Sequence, residues 1–426
     1  MLIDEARDID ITSLWHQQCG HLLPLVESLP DHVLRETCPQ CGLNSVLAVR
    51  SHLRIGETQW LLNRRVRFCA SCKTFCVPAS ELASAIPGVH HSDGTVDRAV
   101  ITLINPKVWT TQELILNLEP TTKCNFNCWY CVGRHMKQEE LTLASFETIL
   151  NNCPGVQLLA LVGEGEPLLH RDIFSMIGLA KKKDLLVYSL TNGSLINQKT
   201  IPRICASGLD YLAVSIDSTN KDTFAESRIR GDLIQIWENL DRLQDYKRAH
   251  GLTSPHVSIK GTIFPHTREE IPQIIEEAKK HGAEFVEYFQ PLNPKSSYVS
   301  LYPINKRALA REQNEVVASI AKAMEDSVLP DLHQEIAARL PGLLRGASGT
   351  PIRPNCDIPV LYSLLSGQVT PCCLIKEYPE KHWNLKERSI HSIINDPSYE
   401  NMRFNLWNGF FLPECLGCAK TQQSNL

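Results

Sequence analysis

The sequence predicts an α/β fold built on a parallel sheet. Short apolar runs recur at "LILNLEP" (114–120), "LLALVG" (158–163), "LLVYSLTNG" (185–193), "YLAVSID" (211–217), "HVSIKGTIF" (256–264) and "FVEYFQP" (285–291). The intervals between them carry helical periodicity. Six βα units in series imply parallel strands, because a parallel pair needs a crossover connection. A third observation orients the sheet: polar motifs follow the first four runs, at the strand ends where parallel sheets bind ligands. An open barrel and a doubly wound sheet both accommodate six such units, and periodicity does not choose between them.

Composition narrows the class. Hydrophobic residues make up 43% of the 426 residues, charged residues 21%, and the net charge is −4. These values argue against a disordered chain and against a general polyanion-binding surface, so nucleic acid is not an expected partner. No apolar run approaches the roughly 20 residues of a membrane span. The start, "MLIDEARDID", is acidic and reads as neither signal nor transit peptide. Sixteen cysteines in a long chain without an export signal point to metal ligation in a reducing compartment, and a cytoplasmic location is expected.

The first segment, residues 1–110, holds "CPQC" (38–41) and "CASC" (69–72). Cys38, Cys41, Cys69 and Cys72 can give one ion four thiolates, the donor set of tetrahedral structural zinc. The stretch between them alternates like a β-hairpin. The pattern resembles a zinc ribbon, with rubredoxin-like iron as the rival metal. Cys19, His21 and Cys76 read as ordinary side chains, and Arg64, Arg65 and Arg67 as a solvated hairpin face.

The barrel-like segment, 111–300, has well-marked helices. In "GDLIQIWENLDRL", Leu233, Ile236, Trp237, Leu240 and Leu243 recur at helical spacing. In "TREEIPQIIEEAKKHG", Thr267 and Glu270 suit a capping box, Ile271, Ile274 and Ala278 an apolar face, and Gly282 the stop. "KKK" (181–183) complements a helix C-terminus. Cys153 and Cys205 read as small core residues, with a hydrogen-atom donor as the sharper alternative. Residues 301–354, rich in proline, arginine and leucine, form a helical bridge to a last segment, 355–426.

The first strand runs into "TTKCNFNCWYC" (121–131), where Cys124, Cys128 and Cys131 form C-x3-C-x2-C. A structural zinc site would need a fourth protein ligand. A 4Fe–4S cluster is normally held by four thiolates, so three leave one iron open to a ligand that is not protein. The motif after the first strand of a parallel α/β fold, with Tyr130 as its penultimate residue, resembles the radical S-adenosylmethionine (radical SAM) enzymes. "LVGEGEPLLHRDI" resembles that family's Gly-Gly-Glu-Pro segment, with Glu164 where a glycine often stands. "LTNG" and "SIDSTNKDTFAESRIRG" resemble its third and fourth strand ends.

The resemblance covers roughly residues 112 to 290 and implies a partial (β/α)6 barrel. It implies that Cys124, Cys128 and Cys131 hold three irons of a 4Fe–4S cluster. The fourth iron would chelate S-adenosylmethionine, whose reductive cleavage yields a 5′-deoxyadenosyl radical that abstracts a substrate hydrogen. Backbone groups of Gly165 and Glu166 would meet the methionine amino end. Ser189, Asn192, Ser215 and Asp217 are candidate ribose or methionine contacts, and Arg228 or Arg230 a fork for the methionine carboxylate. A flavodoxin- or ferredoxin-type protein would donate the electron.

Beyond the bridge, Cys356, Cys372, Cys415 and Cys418 occur in an order that resembles the abbreviated SPASM or twitch extension of radical SAM enzymes. The resemblance implies one auxiliary 4Fe–4S cluster that accepts an electron, with zinc as the rival metal. Cys372 is preferred to Cys373 because Gly367 and Cys372 give G-x4-C. The expected function is a radical SAM oxidoreductase that matures a peptide or protein. The alternatives are a small-molecule dehydrogenase or epimerase acting on sugar-derived natural products, a non-catalytic iron–sulfur redox sensor, and a nucleic-acid-modifying enzyme.

Overall fold

The computed structural model describes residues 36–37, 44–55, 58–69, 74–76, 111–287, 290–291, 306–340, 360–373, 375–376 and 378–407. Near the N-terminus, β1 (Glu36–Thr37), β2 (Asn44–Ile55), β3 (Thr58–Cys69) and β4 (Thr74–Cys76) form an antiparallel sheet in that order. The expected hairpin is β2 with β3, whose pairing runs from Val46–Cys69 to Ile55–Thr58.

The central elements alternate as the sequence predicts. They are β5 (Ile115–Leu118), α1 (Leu143–Asn151), β6 (Leu158–Leu161), α2 (Ile173–Lys181), β7 (Leu186–Thr191), α3 (Ile201–Ala206) and β8 (Tyr211–Ser215). There follow α4 (Lys221–Ser227), α5 (Leu233–His250), β9 (His256–Lys260), β10 (Thr262–Ile263), α6 (Ile271–Lys280), β11 (Phe285–Val286) and β12 (Gln290–Pro291). The chain then forms α7 (Lys306–Glu325), α8 (Leu332–Arg339), β13 (Val360–Ser363), β14 (Val369–Thr370), α9 (Ile390–Ile394) and α10 (Pro397–Trp407).

The main sheet has the order β11-β9-β8-β7-β6-β5-β13-β14. The six strands from β5 to β11 are all parallel and follow one another without reversal. A doubly wound sheet reverses at a switch point, so this is the order of an open barrel. Alternation along the strands separates two faces. Leu116, Leu118, Leu159, Leu161, Val187, Leu212, Val214, Val257 and Ile259 join the core under the helices. Leu158, Ala160, Tyr188, Tyr211 and Ala213 form a second cluster on the inner face.

The C-terminal segments cover what the barrel leaves open. From α8, Leu332 and Ile336 pack into the inner-face cluster, and Arg339 Nη1 donates to Tyr211 Oη at 2.7 Å. The bridge helix therefore lines the barrel interior. β13 pairs in parallel with β5, and β14 returns antiparallel to it, so the last segment shares the barrel's sheet. Its contact with the helix layer is made at the end of α1, where Ile390 N donates to Asn152 O at 2.7 Å and Asn152 Nδ2 donates to Leu385 O at 2.8 Å.

The Thr267–Glu270 capping box does not form. Thr267 Oγ1 accepts from Phe264 N at 3.1 Å, a 3-10 turn occupies Arg268–Glu270, and α6 begins at Ile271. Glu270 is drawn away because its Oε2 accepts from Ser218 Oγ at 2.7 Å and Thr219 N at 2.8 Å, in the loop after β8.

Candidate functional site

Four loops meet at the C-terminal rim of the sheet, as the parallel arrangement requires. The loop after β5 carries the three cysteines: Cys128 is buried, and Cys124 and Cys131 are partly buried. Hydrogen bonds fix this loop on three sides. Asn192, after β7, donates through Nδ2 to Asn125 Oδ1 at 2.9 Å and lies 3.9 Å from Cys124 Sγ. Asn127 N donates to Ile229 O at 2.8 Å, from the loop after α4. Tyr130 Oη donates to Asp217 Oδ2 at 2.8 Å.

Asp217, fully buried, is saturated. Its Oδ2 also accepts from Arg228 Nε at 2.7 Å, and its Oδ1 accepts from Arg228 Nη2 at 2.9 Å and Thr262 N at 2.8 Å. Burial opposes the Arg228 charge, and the Asp217 carboxylate more than restores it. Asp217, a candidate ribose or methionine contact, and Tyr130, the penultimate residue of the cysteine motif, are thereby occupied by protein partners. Both spend their polar atoms on bracing the cysteine loop against β8 and α4, and Arg228 keeps only Nη1 beyond the fork. Arg230 is exposed, in a left-handed backbone conformation (φ 75°).

The loop after β6 forms a shelf beneath the cysteine loop. Gly165 N donates to Thr121 O at 3.1 Å and Glu166 N to Lys123 O at 2.8 Å. A Cβ on Gly165 would meet Thr121 O at 2.4 Å, so the close approach requires glycine. Glu166 is 2% exposed: Oε1 accepts from Thr191 Oγ1 at 2.7 Å and Leu168 N at 3.0 Å, and Oε2 from Asn192 N at 2.7 Å. Burial pushes this carboxyl up, against those three donors. Its side chain ties β7 to the shelf, and its carbonyl accepts from Leu169 N at 3.0 Å in the turn that follows.

Ser189 is removed from the site. Strand alternation puts it on the same side as Val187, and its Oγ donates to Leu161 O at 2.9 Å. Ser215 lies on the opposite face in register with Ala213 and stays at the rim, 7% exposed.

The donor set suits an iron–sulfur cluster. Burial pushes the Cys124 thiol up to about 11, and raises Cys128 and Cys131 as well. Buried thiols of this kind ionise when a cation binds them. Arg228 and Arg134 pull Cys128 the other way. Arg134 Nε and Nη1 are buried without a hydrogen-bond partner, an orphaned cation beside the loop that matches an anionic group. Among the described residues no three Cys, His, Asp or Glu side chains converge on a single ion. In a cluster each thiolate bonds a different iron, which spreads the ligands more widely than one ion does. Cys356, Cys415, Cys418, Cys38, Cys41 and Cys72 lie outside the described residues, as do the side chains of Cys69 and Cys76. Cys372 is partly buried against the core and Cys373 is exposed.

Sequence reading missed two groups. One joins Glu119, Glu164 and Lys376; the acid closing β5 in "LNLEP" was a visible signal, but Lys376 had none. The other joins Tyr188, Lys260 and Glu287 across the inner face: Glu287 Oε2 accepts from Tyr188 Oη at 2.5 Å and Oε1 from Lys260 Nζ at 2.7 Å.

Among the described residues no helix is long and apolar enough to cross a membrane. Residues 118–278 match the sequence profile of the Radical SAM superfamily. An S-adenosylmethionine-dependent nucleotide dehydratase of Selenomonas ruminantium is 34% identical over 111 residues, covering 25% of this chain and 40% of that protein. A PqqA peptide cyclase of Xanthomonas axonopodis pv. citri is 24% identical over 327 residues, covering 72% of this chain and 80% of that one. The chain spans from 29% to 50% of the length of several curated relatives. In the solved structures, Streptococcus suis SuiB bound to precursor peptide SuiA superposes with a TM-score of 0.51 at 15% identity, over 72% of this chain and 70% of that one. At that identity the likeness shows the fold alone. The family likeness thus falls on residues 118–278, the stretch that carries the strands and loops of the rim.

Proposed function

We propose that the chain is a radical SAM enzyme that modifies a peptide or protein. The observation carrying this reading is the three-cysteine loop at the barrel rim, braced by the Tyr130–Asp217–Arg228 network and seated on the Gly165–Glu166 shelf. In this reading Cys124, Cys128 and Cys131 hold a 4Fe–4S cluster with one open iron. When bound, the cluster and S-adenosylmethionine supply one-electron reductive cleavage of the sulfonium and hydrogen abstraction from the substrate. The residues that would hold S-adenosylmethionine are the Gly165–Glu166 shelf at its amino end, Arg228 and Arg134 at its carboxylate, and Ser215 and Asn192 on the ribose side. The inner face, closed by α8, would keep bulk water from the reacting centre. A flavodoxin- or ferredoxin-type donor supplies the electron.

The last segment, 355–426, fits a SPASM- or twitch-like domain in which Cys356, Cys372, Cys415 and Cys418 hold an auxiliary cluster. The segment 1–110 fits a zinc ribbon. There β2 begins where β3 ends, since Val46 pairs with Cys69, and Cys69 pairs with Thr74 of β4. Thr37, Asn44, Cys69 and Thr74, the described strand ends, thus lie at one end of the sheet. The peptide class is favoured because the PqqA peptide cyclase match extends well beyond the barrel, whereas the nucleotide dehydratase match covers 25% of the chain. SuiB, of like fold, was solved with a precursor peptide.

Anaerobic reconstitution with iron and sulfide, followed by dithionite and S-adenosylmethionine, should yield 5′-deoxyadenosine, and Cys128→Ala should abolish it. No cleavage by the parental chain would overturn the enzyme reading. Metal analysis should return about eight irons and one zinc per chain; four irons would remove the auxiliary cluster.

A further inference from the structure

Glu164 stands at a position where the family motif often has glycine, and the structure gives this acid two partners. Its Oε2 lies 3.4 Å from Cys131 Sγ. Its Oε1 lies 2.7 Å from Lys376 Nζ, with the two side chains 18% and 16% exposed. Lys376 comes from the C-terminal segment, just past a turn in which Ile375 N donates to Cys372 O at 3.2 Å. A second acid backs the pair. Glu119 is 2% exposed, its Oε1 accepts from Glu164 N at 3.0 Å, and its Oε2 is buried without a partner. Gly163 makes room for it, since a Cβ there would fall 2.3 Å from Glu119 Cγ. Burial disfavours the Lys376 charge, but Glu164 and Glu119 hold it in place. The turn is anchored to the barrel by β13, whose Ser363 O accepts from Glu119 N at 2.9 Å.

Two carboxylates and one ammonium thus share a poorly solvated space against one cysteine of the proposed cluster. Adding an electron to a cluster adds negative charge, so a nearby anion opposes reduction and a nearby cation favours it. The effect is strong where water does not screen it. We infer that Lys376 is a positioning residue through which the C-terminal segment sets the reduction potential of the Cys124–Cys128–Cys131 cluster, by neutralising Glu164 where it touches Cys131. The inference rests on the cluster reading above.

The test is a redox titration of the anaerobically reconstituted full chain. It follows the reduced-cluster electron paramagnetic resonance signal that changes when S-adenosylmethionine is added, which separates this cluster from an auxiliary one. Lys376→Met should shift the midpoint potential to more negative values, and Glu164→Gln to more positive ones. The double variant should lie between them, and Lys376→Arg should keep the parental value. A purely structural contact would move both single variants in the same direction. Same-sign shifts, or unchanged potentials with the signal intact, would overturn the inference alone. A parental chain without any signal responsive to S-adenosylmethionine would overturn the cluster reading and this inference with it.

Discussion

Asp217 shows how a side chain at a strand end can be occupied within the protein. In the sequence it closes "SID", at a rim where acids commonly meet ligands. In the structure both its oxygens are consumed by Arg228, Tyr130 and Thr262. Removing one partner of a buried pair leaves the other charge uncompensated, at about 3–5 kcal/mol. Asp217→Ala should lower unfolding free energy by about that amount in urea denaturation of the cluster-free chain. A loss below about 1 kcal/mol, typical of a surface pair, would show that the network is not what braces the loop. Cys124, Cys128 and Cys131 were legible because spacing alone sets them apart. Tyr130, Asp217 and Arg228 were legible as residues but not as a closed set, because hydrogen-bond partners 11 and 87 positions apart in sequence leave no local pattern.

At the level of elements, strand periodicity located all six barrel strands, and alternation decides which side chains enter the site. Ser189 is excluded on that ground, while Ser215, on the opposite face of its strand, is retained. The bridge helix α8 has a tertiary role that its composition did not reveal. Leu332 is 1% exposed and packs with Leu158, Tyr188 and Tyr211 on the inner face. Leu332→Ala should cost about 2–5 kcal/mol in the same denaturation assay. A cost near zero would mean that the helix rests on the barrel without closing it. The capping box failed for a comparable reason. Glu270 satisfies its local pattern, but the loop after β8 offers donors that hold it elsewhere.

For the whole molecule, charge placed across the inner face makes stability depend on pH. Glu287 links strands through Tyr188 and Lys260. Burial raises its carboxyl, but Lys260, His333 and Tyr188 outweigh burial and hold it below the usual range. A folded-state value below the unfolded one, about 4.3, means that the unfolded chain binds more protons. The contribution of Glu287 is therefore complete above that value and is lost as pH falls through the folded one. The stability difference between the parental chain and Glu287→Gln should shrink as pH is lowered below about 4. A difference independent of pH would remove the carboxylate from the account. Glu119 and Glu166, both pushed up by burial, carry the opposite sign: their ionisation costs stability, and acid relieves it.

By itself the sequence determined the parallel α/β class, the six strands and the cysteine loop at their rim, because periodicity and motif spacing are local and survive without a fold. Only the tertiary structure decided the unreversed strand order, the closure of the inner face by α8, the joining of β13 to β5 and the meeting of Lys376 with Glu164. Each of these depends on burial and on contacts between distant segments, where low dielectric and close packing reward partners that sequence proximity cannot reveal.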